Sequence, residues 1–497
     1  MFAPSDPARP HVRRAPTGSA VAIFVGVLGA AALWRWCVLQ NHGDPVGVDF
    51  GNWLALGRAL GGRHVSGGDA VYPPLIPALA RAATAVLGVP AAARVTAAVA
   101  ATMPAAGVWI ATRPSVGVRW ATAGAIALLA AGATSAAAAW GGVPQLVGLG
   151  LAPVVAVAAS TLVADPSRRQ AVVLGLLLLA LALLSPLVLG LTLVVVALTV
   201  ALASVVIRTG RWIRFGALSL AFLLPVVPLY ATFLSSATVH TNAAGAGSLP
   251  THALGIVFVG ATGWWYVLGT LAVVAPFLAW RHRFDPLWAA STALTTVAVV
   301  AALAIGESRF SYLAPTAAVI GAVMLGACAP KPVRRLLAIA VVLSVVGILV
   351  AGPRTMQQQR DEYASFVPRG TAAAISWIRA NTSAHDLLAV APVAGAPFGW
   401  WLEGWAQRPS LVAANPAFLA FPGERRRARQ ATGLFTAAHW PNEATFARAR
   451  RLGVRWMYVP TAWDGMNRVA LQSAEARHAG LVVYDGPGAL VLRTPGA

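Results

Sequence analysis

Two acids, Asp44 and Asp49, stand in the segment GDPVGVDFGNWLALGRALGG (residues 43–62), directly after the first long apolar run. The chain has only 16 Asp and Glu in 497 residues, so two acids at the edge of an apolar run need a reason. A carboxylate there can accept a proton, ligate a divalent cation, or start a helix or turn. Asp49 opens a helix-like segment, where an N-cap is its plain structural role. Asp44 precedes Pro45, a pair suited to starting a turn. The two together are also a candidate metal pair, but a divalent ion wants several oxygens and the sequence supplies few acids. No cofactor is read from the sequence, and a divalent metal stays open.

The cations and neutral polar residues add a second set. Arg309 sits in GESRFSY (306–312) at the mouth of an apolar run. Its planar fork suits a phosphate, while Glu307 beside it offers an ion pair instead. Arg35 lies inside the first apolar run, near its far end. An intramembrane charge is costly and marks a functional group, unless the side chain snorkels to the interface. Gln145 in WGGVPQ (140–145) is a candidate cavity residue, and Tyr72 begins YPPLIP (72–77). Asp69 reads as a loop residue. His42, His64, His240 and His252 are scattered without a zinc spacing. Cys37 and Cys328 match neither a metal nor a disulfide spacing and read as small buried hydrophobes.

What positions these groups follows from composition. The chain is 58% hydrophobic and 11% charged, with a mean hydropathy of +0.70, against roughly 25% charged residues in a soluble domain. Apolar runs fill the first 352 positions, the pattern of a polytopic α-helical membrane protein. Eleven spans are expected, at about 19–39, 94–112, 119–139, 146–164, 170–185, 187–207, 213–233, 255–280, 287–305, 312–329 and 335–352. SPLVLG (185–190) divides one long apolar stretch into two helices. The net charge of +21 does not form one basic patch, so nucleic acid is excluded as a partner.

The run 73–88 is too short to cross and carries Pro73, Pro74 and Pro77. Charge supports leaving it on the surface. Without it, the clusters at Arg113/Arg119, Arg168/Arg169, Arg208/Arg211/Arg214, Arg281/Arg283 and Lys331/Arg334/Arg335 all face the cytoplasm together with the N-terminal arginines; if it crosses, all five turn outward. The domains expected are therefore a cytoplasmic tail (1–18), a transmembrane domain (19–352) with a first extracytoplasmic loop at 40–93, and an extracytoplasmic α/β domain (353–497). In that last domain TAAAISWIRAN (371–381) and EATFARARRLG (443–453) read as helices. DLLAVAP, PSLVAA, VRWMYVP, LVVYDG and ALVLRT read as strands. GERRRAR (423–429) reads as a solvated helix face or, alternatively, a site near anionic head groups.

Three segments carry a family resemblance. VDFGNWLALGRALGG (48–62) resembles the first extracytoplasmic loop of GT-C-fold glycosyltransferases, with Asp49 at the family's acid and Phe50 where a Glu usually follows. YPPLIP resembles the Pro-Pro segment later in that loop, and ESRFSYLAP (307–315) resembles the late Arg-aromatic segment that opens a span. The tail segments WIRANTSAHDLLAVAP and GWWLEGWAQRPSLV (399–412) are similar to soluble tails of uncharacterised members. The tryptophan-tryptophan-aspartate motif of oligosaccharyltransferase catalytic subunits is missing from the sequence.

The resemblance implies an enzyme that moves a sugar from a polyprenyl-phosphate donor to a hydroxyl on a glycan, glycolipid or protein, at the outer face of the cell membrane. Mannosyl- or arabinosyl-type transfer fits better than protein N-glycosylation. Under it Asp49 is the base, with Asp44 as a second catalytic acid. Arg309, Glu307, Arg35, Tyr72 and Gln145 form the substrate-binding set. Two other readings use the same residues: a transporter or flippase of lipid-linked sugars, and a non-catalytic GT-C-like protein that binds a partner.

Overall fold

The computed structural model describes residues 18–40, 43–47, 49–61, 72–208, 210–236, 264–300, 313–364, 367–393, 398–414, 419, 422–436 and 440–497. Asp69, Glu307, Arg309, His42, His64, His240 and His252 lie outside the described residues. The apolar runs form helices, because a helix satisfies every backbone polar group inside its own segment. In chain order they are α1 (Gly18–Val38), α2 (Phe50–Ala59), α3 (Leu75–Leu87), α4 (Val89–Ala100), α5 (Met103–Val116), α6 (Val118–Leu129), α7 (Gly132–Trp140) and α8 (Val143–Ala164). There follow α9 (Arg168–Leu184), α10 (Pro186–Ile207), α11 (Trp212–Ala221), α12 (Val227–Ser236), α13 (Trp264–Leu278), α14 (Pro286–Val300), α15 (Leu313–Cys328) and α16 (Lys331–Ala364).

The count of eleven spans is not confirmed among the described residues. Among the described residues six helices are long and apolar enough to cross a membrane, or seven if the bent pair α6–α7 is one span. α9, with 17 described residues, reaches about 26 Å at 1.5 Å per residue, against a hydrocarbon core of about 30 Å, while α13, α14 and α15 each adjoin residues outside the described ones. α3, with 13 residues, is also too short to cross, as the sequence reading expects of 73–88. It leaves Leu79, Val86 and Leu87 exposed on one side. α9 and α10 part at Ser185, whose hydroxyl accepts from the Val188 N–H, with Pro186 as the first helical residue. Neither cysteine forms a disulfide among the described residues, and Cys37 is exposed on α1 rather than buried.

The loops gather at two ends. At one, the Ser115 hydroxyl donates to Asp285 at 2.6 Å, joining two of the arginine-bearing connections. At the other, the first loop, the α7–α8 turn and the C-terminal domain meet. α16 runs past Gly352 to Ala364, so the expected boundary at 353 falls inside a helix.

The C-terminal sheet has the order β2-β1-β3-β5-β4, with β1 (Leu387–Val390), β2 (Ser410–Val412), β3 (Val454–Pro460), β4 (Val482–Asp485) and β5 (Ala489–Arg493). All five lie in the segments read as strands. β2, β1 and β3 are parallel; β5 runs antiparallel to β3, and β4 antiparallel to β5. The helices are α17 (Thr371–Asn381), α18 (Pro422–Phe435), α19 (Glu443–Arg451) and α20 (Arg468–Arg477), with a π-helical turn at Leu402–Ala406. Alternation along β3 and β5 sorts the two faces. Tyr458 and Val491 share a core with Ile375 and Ile378 of α17, with Trp401, and with Phe50, Trp53 and Ile76 of the first loop. Met457, Val459 and Leu492 face Leu434, Phe446 and Ala474 of the three outer helices.

Candidate functional site

Asp49 immediately precedes α2. Its backbone is helical (φ −79°, ψ −15°) and its side chain makes no capping bond, so the N-cap role is not the one it plays. Its position is set by the main chain. The Asp49 N–H donates to the Trp140 carbonyl at 3.1 Å, and the Trp53 indole N–H, one turn along, donates to the Gly141 carbonyl at 3.0 Å. Gly141 has φ +95°, and a Cβ there would lie 3.2 Å from the Phe50 nitrogen. WGG is therefore the turn against which DFGNW can dock. Tyr72 stands beside this anchor, its ring centroid 4.9 Å from that of Trp53. Gln145, in the first turn of α8 beyond the same glycines, is buried, and its Oε1 has no hydrogen-bond partner among the described residues.

Asp44 does something else. It is buried, and its two oxygens accept the Gly370 and Ala372 N–H groups at 2.8 and 2.6 Å. These are the exposed donors at the start of α17, where a carboxylate also meets the positive end of the helix dipole. The sequence reading puts Asp44 beside Asp49 in the chemistry; the structure fastens it to the C-terminal domain. Among the described residues no group of three or more His, Cys, Asp or Glu is placed to hold a metal. Burial first, and then the Asp44 charge, push the Tyr484 phenol above its ordinary pKa.

α2 also packs directly on the C-terminal domain. A Cβ on Gly51 would lie 2.8 Å from the Trp401 nitrogen, and one on Gly404 would collide with the Gly51 carbonyl. The glycines of DFGNW and LEGW are thus needed for close approach.

Arg35 does not snorkel. It is fully buried at 0% exposure, and one terminal nitrogen donates to the Leu129 carbonyl at the α6–α7 break. Its Nε and Nη1 are buried and have no acceptor among the described residues. Arg94 of α4, which the sequence reading did not single out, lies 4.3 Å over the Trp36 ring, and its Nε, like the Trp36 indole nitrogen, is a buried donor with no acceptor among the described residues. The one available signal was an arginine at the very start of an expected span. This end of α1 is rich in donors and poor in acceptors, which suits an anionic, oxygen-rich ligand. α7 links it to Asp49, with Leu129 just before its start and Trp140 at its end. The two are separated by on the order of 15 Å of helix axis.

No family model and no curated protein matches the sequence. Solved structures do match in shape. ArnT from Cupriavidus metallidurans in the apo state aligns over 96% of this chain and 98% of its own, with TM-score 0.60 at 15% identity. Its form bound to undecaprenyl phosphate gives 0.58 at 16%, over 97% and 99%. The mycobacterial arabinofuranosyltransferase AftD gives 0.56 at 17%, over 95% of this chain and 42% of its own. The Archaeoglobus fulgidus oligosaccharyltransferase tethered to an acceptor peptide gives 0.52 at 15%, over 88% and 69%. All are GT-C membrane glycosyltransferases.

This chain has the GT-C fold.

Within that fold Asp49, Tyr72, Gln145 and Arg35 fall around the first loop and the α6–α8 region. Asp44 belongs to the joint between the membrane domain and the C-terminal domain.

Proposed function

We propose that the protein is an integral-membrane glycosyltransferase that moves a sugar from a polyprenyl-phosphate donor to a hydroxyl acceptor on the extracytoplasmic face. The observation that carries this reading is Asp49, held in place by its backbone at the α7–α8 turn while its side chain is left out of the helix cap. In the reaction the acceptor oxygen bonds to the anomeric carbon as the bond from that carbon to the donor phosphate oxygen breaks. The hydroxyl proton passes to Asp49 and polyprenyl phosphate leaves. The donor-rich end of α1, with Arg35 and Arg94, takes the phosphate and its developing charge. The GT-C fold, and a neighbour with undecaprenyl phosphate bound, support a lipid-linked donor. The acceptor is a cell-envelope glycan, glycolipid or protein.

The test compares membranes holding wild type and Asp49→Asn, supplied with labelled polyprenyl-phosphate sugars and envelope acceptors. Transfer from one donor that disappears in the variant supports the reading. A wild type that binds the labelled carrier and moves it across vesicles without transfer would favour a flippase. Sidedness is checked in a background lacking Cys37 and Cys328. Ala243→Cys is expected to label in intact cells, and Ser115→Cys only after permeabilisation.

A further inference from the structure

The three outer helices of the C-terminal domain cover the sheet face turned away from α17 and the first loop. α18 buries Ala428, Ala431 and Leu434, and α19 buries Phe446 and Ala449. Their opposite sides carry arginine. Arg426, Arg429 and Arg451 are exposed and Arg427 is half-buried, and none of the four has a hydrogen bond or ion pair among the described residues. The two basic faces abut, because the Arg448 guanidinium lies over Gly433, where a Cβ would collide with it. Glu443, on the same surface, is held by His478 at 2.6 Å.

Folding does not explain the run on α18. Residues 425–429 fall in the first two turns of Pro422–Phe435, where cations oppose the helix dipole. Arg425 with Arg429 and Arg426 with Arg429 stand at four- and three-residue spacings, where like charges repel. Topology does not explain it either, since charge in long translocated domains does not set orientation. The field of Arg426, Arg427, Arg429 and Arg451, which have no hydrogen bond or ion pair among the described residues, is completed from outside. The face spans two helices, so a multivalent ligand gains affinity that single exposed pairs do not give. It also lies across the sheet from the membrane domain, which sets it apart from a head-group contact.

We propose that the α18–α19 face binds a polyanionic polysaccharide of the cell envelope through its phosphodiester or carboxylate groups. The placement outside the cytoplasm rests on the function proposed above. The full-length protein in neutral phosphatidylcholine nanodiscs is titrated against immobilised poly(glycerol phosphate), with dextran as the uncharged control. Wild type binds the polyanion alone, and the affinity falls with salt. The triple variant R426Q/R427Q/R429Q binds at least about tenfold more weakly, with a shallower salt dependence, and melts no lower than wild type. Equal binding by the triple variant overturns the proposal. So does equal capture by dextran, or loss confined to vesicles of anionic phosphatidylglycerol while polymer binding persists. Gln430→Cys, exposed on the same helix, is expected to label in intact cells; labelling only after permeabilisation overturns the envelope assignment. The binding measurement uses no sugar donor, and Asp49→Asn retains it, so its failure stays separate from failure of sugar transfer.

Discussion

Arg35 and Arg408 are both buried, at 0% and 8% exposure, yet their surroundings are opposite. In the C-terminal domain Arg408 donates to the Thr382 hydroxyl at 2.8 Å and to the Ala406, Gln407, Arg379 and Thr382 carbonyls at 2.7–3.4 Å. At the C-terminal end of α1, Arg35 reaches one carbonyl, and two of its nitrogens have no acceptor among the described residues. The two acids differ in another way: the Asp44 side chain accepts at the start of α17, whereas Asp49 is anchored by its main-chain N–H on Trp140 and its side chain does not cap α2. Buried polar groups are normally satisfied because leaving one orphaned costs about 1–3 kcal/mol. A saturated group is therefore explained by the fold it holds. The buried Arg35 nitrogens left without an acceptor among the described residues are not explained that way.

The largest effect that follows is on chemistry. Asp49→Asn should lower transfer by at least about 100-fold with normal accumulation of folded protein, measured as labelled product per folded enzyme. Near-normal transfer would remove Asp49 as the base.

The two arginines give the direct comparison. Arg408→Met should destabilise the C-terminal domain by roughly 3 kcal/mol, since it leaves several buried carbonyls without a donor. Arg35→Met should leave the melting temperature unchanged or higher and weaken carrier-phosphate binding by about tenfold or more. If Arg35→Met is as destabilising as Arg408→Met, the contrast between them fails.

Asp44→Asn should cost about 1–3 kcal/mol at the joint between the domains. Hydrogen exchange at 370–381 would quicken, and transfer would fall less than in Asp49→Asn. A loss of transfer equal to that of Asp49→Asn, with exchange unchanged, would return Asp44 to the chemistry.

The smallest effect concerns pH. Burial raises the pKa of the Asp386 carboxyl. Bonds from the Trp456 indole, the Ser383 N–H and Arg455 outweigh it, and the net pKa lies below the ordinary value. The folded value is thus below the unfolded one of about 3.9. Its stabilisation is present above that pH and is lost as pH falls through the folded pKa. Acid unfolding below about pH 4 should be less steep in Asp386→Asn; an unchanged slope would assign the acid sensitivity elsewhere.

Much of the frame was legible. The five strand segments, the helix at 371–381 and the break at Ser185 follow from apolar periodicity and turn residues, which act locally. The span count was less legible, because hydropathy registers an apolar run without fixing how much of it is helical. The expected span 119–139 shows this: it is divided between α6 and α7 at residues 130–131. Arg94 was missed because an arginine at the edge of an apolar run looks like any topology determinant. Its distinction is the Trp36 ring beneath it.

By itself the sequence determined a polytopic helical chain with a C-terminal α/β domain and a polar first loop. Those depend on composition and on periods of two and 3.6 residues. It also named Asp49, Asp44, Arg35 and Gln145 as unusual, since polar groups beside apolar runs are costly wherever they end up. Only the tertiary structure decided which did what. Asp44 meets Gly370 and Ala372 more than 300 residues away, and Asp49 meets Trp140. Whether a carboxylate or guanidinium is saturated depends on such distant partners, and no local pattern encodes them.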